Sequence, residues 1–206
     1  MVTGRSAVVA VLALLTALML AGCSGSDQPA RPSRAAPTPI GELDASAVRL
    51  VRAEFCDRVP AADVRRALGH APESDDRWGN GDPVPNGSGS GDVGHEIGCR
   101  WTGAGGAGAA AWVFARPVAT VFATQVVAQA GQAQDCRTEA ANEFGSPAML
   151  QSCAQPGGVD RMRRAGLFGD TWLTCELSLP TSVPDATRRA RLDTWCATVV
   201  AALRTS

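Results

Sequence analysis

The sequence predicts an α+β domain, a mostly antiparallel sheet with about three helices packed on one face and stapled by disulfides. Three observations carry that reading. Several stretches alternate apolar and polar residues with the period of a strand, residues 96–102 and 171–179 most clearly. Three other stretches open behind a proline and repeat apolar residues at helical spacing. Six cysteines fall between residues 56 and 196, enough for three bridges. Strand hairpins interleaved with helices are the arrangement of an α+β domain rather than of a parallel sheet.

The elements follow in order. Residues 48–53 read as a short first strand, with a helix nearly as favoured. Pro60, then residues 61–68 and Gly69, describe a compact helix with a proline at its start and a glycine stop. Residues 75–92 are rich in Gly, Pro, Asn and Ser and read as a loop. Over 96–102, Ile97, Cys99 and Trp101 fall on one face, and Gly98, Arg100 and Thr102 on the other. A glycine-rich turn leads to 109–116, which carries Trp112 and Phe114 and completes a hairpin. Pro117 opens a helix to about residue 130, with Val118, Val121, Phe122 and Val126 expected inward and Gly131 as its stop. Residues 148–154 and 159–167 read as strands joined across Pro156-Gly157-Gly158. In 171–179, Leu173, Cys175, Leu177 and Leu179 point inward. Pro184 begins the last helix, striped by Leu192, Trp195, Cys196, Val199 and Leu203.

At 206 residues the chain has room for one domain, residues 41–206, plus a targeting segment and a tether. Hydrophobic residues make up 45%, enough for a core, and the net charge is −1. Removing residues 1–22 deletes Arg5 and no acid, which leaves about −2. Such a balance gives no attraction for nucleic acid. All 19 basic residues are Arg, a compositional bias rather than a site.

The N-terminus has one positive charge, Arg5, followed by residues 7–21, which are apolar except for Thr16. Fifteen residues suit the apolar region of an export signal and fall short of the roughly 20 that span a bilayer. Leu20-Ala21-Gly22-Cys23 resembles the lipobox of bacterial lipoproteins. In that family the cysteine thiol takes a diacylglycerol, and cleavage before it frees an amine for acylation. The resemblance implies an export signal over 1–22 and a lipid-carrying Cys23. It also implies attachment through acyl chains to the outer face of the cytoplasmic membrane. Residues 24–40, with Pro29, Pro32, Pro37 and Pro39, read as a disordered tether.

Assigning Cys23 to lipid leaves an even six. Six cysteines allow about 15 connectivities. Cys175, on the inner face of its strand, and Cys196, on the helical stripe that must cover it, suit one bridge. Cys136 and Cys153 close a short loop, which leaves Cys56 and Cys99 for one another. Zinc is the competing use, but no Cys-x-x-Cys occurs and the histidines stand apart from the cysteines. No cofactor or metal is expected.

Cys56-Asp57-Arg58-Val59-Pro60, Ala67-Leu68-Gly69 and Cys99-Arg100-Trp101 together resemble a family of actinobacterial lipoprotein domains of unknown function. Gly166-Leu167-Phe168-Gly169-Asp170-Thr171-Trp172 before Cys175, and Trp195-Cys196, fit the same pattern. The resemblance implies an exported, lipid-anchored domain and carries no catalytic residues.

Other motifs weigh little. Residues 103–108 satisfy G-x-G-x-x-G, but a strand rather than a helix follows and no acid lies near residue 124. Asp75, Asp76, Asp82 and Asp92 match no calcium repeat. His70 and His95 lack catalytic partners in sequence. Arg161, Arg163 and Arg164, and Arg188, Arg189 and Arg191, form runs that could meet an acidic partner or an anionic glycan. Trp172, on the outward side of its strand, and Phe168 are the candidate binding surface. The leading expectation is a non-catalytic domain that binds an envelope protein or a small ligand. An accessory subunit of a membrane assembly and a carboxylate-based envelope enzyme are the alternatives.

Overall fold

The computed structural model describes residues 36–83 and 93–205. The export signal, Cys23, most of the tether and Asp92 lie outside the described residues. Those described form seven strands: β1 (Ser74–Trp78), β2 (Glu96–Thr102), β3 (Gly108–Phe114), β4 (Cys136–Ala140), β5 (Ala148–Gln155), β6 (Val159–Phe168) and β7 (Thr171–Pro180). The helices are α1 (Ala61–Leu68), α2 (Thr120–Ala130) and α3 (Asp185–Leu203). All strand pairs are antiparallel in a single sheet of order β1-β2-β3-β7-β6-β5-β4, which makes the last strand in sequence the central one in space.

Alternation along β7 sorts the sheet into two faces. Leu173, Cys175, Leu177 and Leu179 enter the main core, where α3 meets them with Leu192, Trp195, Cys196, Val199 and Leu203. Each of these side chains is at most 2% exposed, and burying each one stabilises the fold by about 1.5–3 kcal/mol. Cys175 and Cys196 are joined across this contact, and the Trp195 indole N–H donates to the Ala110 carbonyl at 3.1 Å. A buried indole without such an acceptor would be costly. Trp195 also stands edge-on to Trp101, with ring centroids 5.4 Å apart. On the same face, α1 lies beside α3 and buries Val64, Ala67 and Leu68. Gly69 ends α1 at φ +87° and donates its N–H to the Arg65 carbonyl, the stop its sequence announced. The Cys56–Cys99 bridge ties the turn before α1 to β2.

The expectation that all helices share one face is corrected by α2. It packs over β5 and β6 on the opposite face, in a second cluster with Val118, Ala123, Ala130, Met149, Ala165, Leu167 and Trp172. Its inward side also differs from the expected one. Ala123 is fully buried, whereas Val121 and Phe122 are 68% and 48% exposed. The sheet already supplies bulk there through Trp172, Leu167 and Met149, so the helix presents small residues and its large ones stand aside.

Two strands lie where loop or no strand was expected. β1 and β4 are polar edge strands that show no apolar alternation and are held by pairing on one side only. Cys136 and Cys153 are directly opposed across β4 and β5, so their bridge is a cross-strand one. Residues 48–53 form no strand. Leu50 makes one isolated bridge with Arg204, and Val48 and Leu50 are buried in the main core near the end of α3. Residues 103–108 are the turn of the β2–β3 hairpin, as expected.

Gly166 marks the tightest approach in the sheet. A Cβ there would fall 1.7 Å from the Phe144 carbonyl oxygen, because the segment before β5 crosses directly over β6. Phe144 is thereby set edge-on against Phe168, with centroids 5.2 Å apart. Gly166→Ala is expected to lower the unfolding free energy by about 3 kcal/mol. Denaturant titration checks this, and an unshifted midpoint would contradict the close approach.

Candidate functional site

The face opposite α3 is where the sheet is incompletely covered. Across it the register aligns Trp78, Gly98, Trp112, Thr174, Ala165 and Met149 in one row. The next row reads Asp76, Arg100, Ala110, Glu176, Arg163 and Gln151. Gln151 closes the α2 end, donating to the last carbonyl of the helix, Ala130, at 2.7 Å and to Thr138 Oγ1 at 3.1 Å. At the other end the Trp78 indole lies across Gly98, where any side chain would collide with it at 2.3 Å.

A groove opens beside α2. Glu96 and Phe114 are paired across β2 and β3, and the Ala115 N–H donates to the His95 carbonyl to keep these ends together. The chain then turns through Pro117, and the Val118 N–H donates to the Asp170 carbonyl before α2 starts at Thr120. Between Val93–Glu96 and the start of α2 lies a cavity of about 890 Å³, with Phe114, Val118 and Phe122 among its walls. Its lining is mostly apolar, and Val93 and Phe122 are 53% and 48% exposed at its rim. Phe114 joins Phe122 to the buried Trp172, with centroids 6.5 Å apart in both pairs. Glu96 is the acid in this lining, and burial pushes its carboxyl above the ordinary carboxylate range.

The arginine runs divide between the faces. Arg164 turns toward α3, is 8% exposed, and donates to Asp193 at 2.7 Å and to Glu143 at 2.6 Å. Arg161 and Arg163 lie on the other face around Glu176, whose carboxyl burial pushes up against the opposing pull of Arg161, Arg163 and Arg100. Burial lowers the Arg163 guanidinium, while Glu176 counters it.

The expected site residues are placed as follows. The three cysteine pairs are joined as expected, Cys56–Cys99, Cys136–Cys153 and Cys175–Cys196, with Cα atoms 5.9, 4.1 and 5.6 Å apart. The binding surface expected at Phe168 and Trp172 is corrected. Phe168 is 1% exposed in the main core, and Trp172 is 2% exposed beneath α2. Trp172 does face away from Leu173, but a helix covers that side. Among the described residues the exposed large apolar side chains are Val93, Val121 and Phe122. The adjacent pair Val121-Phe122 held the missed signal, since neighbouring positions on a helix cannot both enter a narrow buried stripe.

Carboxylates meet in two other hollows, one near Asp57 and Asp82 and one near Asp160 and Asp185. Asp57 accepts from Arg77 at 2.6 Å and Asp82 from the Gly79 N–H at 2.7 Å. Asp160 is paired with Arg188, and a hydrogen bond from Arg189 holds Asp185 below the usual carboxylate range. Carboxylates so engaged are poor proton donors at neutral pH. Among the described residues no cluster of three His, Cys, Asp or Glu suits a metal ion. Compared with protein-family models, curated proteins and solved structures, the chain finds no match.

The Glu96 carboxyl has its folded pKa above the unfolded one, so the fold disfavours its ionised form. Glu96→Gln is therefore expected to raise the melting temperature at about pH 7. The gain should vanish at about pH 3.5, where both side chains are neutral. Thermal melts across that range check it. A difference independent of pH would contradict the burial of this carboxyl.

Proposed function

We propose that this chain is a lipid-anchored extracytoplasmic domain that binds an apolar ligand or partner segment, without catalysis, in the groove beside α2. The observation that carries the reading is the cavity of about 890 Å³, with Phe114, Val118 and Phe122 in its walls. Apolar clefts of this size with few polar groups are the usual form of small-ligand and peptide sites. The rim residues Val93 and Phe122 gain from being covered. Glu96, with His95 and Arg116, supplies polar groups at the wall of this cavity.

The anchor rests on Leu20-Ala21-Gly22-Cys23, on the short apolar run before it, and on six cysteines paired as an oxidising compartment permits. Among the described residues no helix is long and apolar enough to cross a membrane. A role as an accessory subunit uses the same surface, because Val121 stands exposed next to Phe122 and extends the apolar rim.

Two experiments test the proposal. A Cys23→Ser variant is expected to leave the membrane fraction while keeping its three disulfides in non-reducing mass spectrometry. Continued membrane attachment would contradict the anchor. A photo-crosslinking phenylalanine placed at Phe122 in growing cells is expected to capture one discrete species that the same group at the exposed Thr181 does not. Equal labelling at both positions would contradict the groove.

A further inference from the structure

The polar part of the same face carries a second feature that does not depend on the groove. Arg163 stands directly opposite Glu176 across β6 and β7, and Arg161 lies two residues away on the same side of β6. That spacing puts the two guanidinium stems about 7 Å apart, a repulsive arrangement unless anions intervene. Among the described residues, Glu176 is the carboxylate that acts on both. Arg161 Nε is 3.8 Å from Glu176 Oε2, too far for a hydrogen bond. The Nε atoms of both arginines are buried and have no hydrogen-bond partner among the described residues. Arg164, between them in sequence but on the other face, is held by two carboxylates within 2.7 Å. Within residues 161–164 the shortfall lies on this face; Arg188 Nε on α3 also lacks a partner, but its terminal nitrogen is paired with Asp160 at 3.2 Å and Asp185 at 3.3 Å. Ala110, the neighbour of Glu176 on β3, is too short to reach either guanidinium, and Arg100 follows it on β2 as a third positive group acting on Glu176.

We propose that Arg161 and Arg163 hold a small oxyanion beside Glu176, a phosphate or carboxylate group that is free or carried by a larger molecule. Two adjacent guanidinium groups offer paired N–H donors that match the oxygens of such a group, and partial burial strengthens each contact. Glu176 limits the affinity, because it occupies part of the same positive field.

The test uses the full-length chain in neutral detergent, titrated with sodium phosphate against sodium chloride at matched ionic strength. Calorimetry and the melting temperature are the two readouts. Phosphate is expected to bind saturably and raise the melting temperature where chloride does not. Arg163→Gln should weaken phosphate binding by about ten-fold or more, as loss of a charged hydrogen bond does. Arg161→Gln, at a side chain 37% exposed, should weaken binding without endangering the fold. Glu176→Gln should tighten it. Competition by phosphatidylglycerol vesicles but not phosphatidylcholine vesicles identifies a lipid headgroup as the source, and phosphate binding without that competition identifies a free anion. Identical effects of phosphate and chloride would overturn the proposal. So would a Glu176→Gln chain that loses stability and is not restored by phosphate, since the arginines would then serve only an internal ion pair.

Discussion

The union of β7 with α3 is the contact on which the other elements depend. β7 is central in the sheet, and every second residue from Leu173 to Leu179 is buried against the helix. The Cys175–Cys196 bridge closes that contact covalently, and the Trp195–Ala110 hydrogen bond ties α3 to the adjacent β3. Because the side-chain period of a strand is two, burying that set on one side commits Trp172, Thr174 and Glu176 to the other. The second face is a consequence of sealing the first.

That second face is finished unevenly. α2 is 11 residues long and covers the Met149–Trp172 end through small side chains. The remainder is left to Phe114, Glu96, Trp112 and the arginines around Glu176. An apolar groove and a positive patch thus share one sheet face because a short helix cannot cover seven strands. Disulfides support this economy. A chain-entropy argument assigns each bridge roughly 3–4 kcal/mol, which lets the domain keep a partly open face without losing its fold.

The sequence showed most clearly those elements whose residues alternate against a core. β2, β7, α1 and α3 follow their apolar periods, β3, β5 and β6 carry apolar runs bounded by turns, and the Cys175–Cys196 pairing emerged from placing the two on facing stripes. Edge strands were hidden because β1, Ser-Asp-Asp-Arg-Trp, and β4, Cys-Arg-Thr-Glu-Ala, bury little and are specified by their partners. The site was hidden for a related reason. Trp172 was correctly placed opposite Leu173, but only tertiary packing decides whether an outward tryptophan meets solvent or a helix. Likewise α2 has apolar residues on several sides, and the choice of Ala123 over Phe122 for the interior follows from the volume already present on the sheet. Glu96 shows no sign in sequence of its burial, which is created by Phe114 opposite it and the start of α2 above.

Native-state amide hydrogen exchange on the intact chain tests the organising role of the β7–α3 contact most directly. Amides of β7 and α3 should exchange only through global unfolding and share one opening free energy, whereas those of α2 should open locally at a distinctly lower one. Protection in α2 equal to that in α3 would contradict a fold built on one sealed face and one lightly covered face.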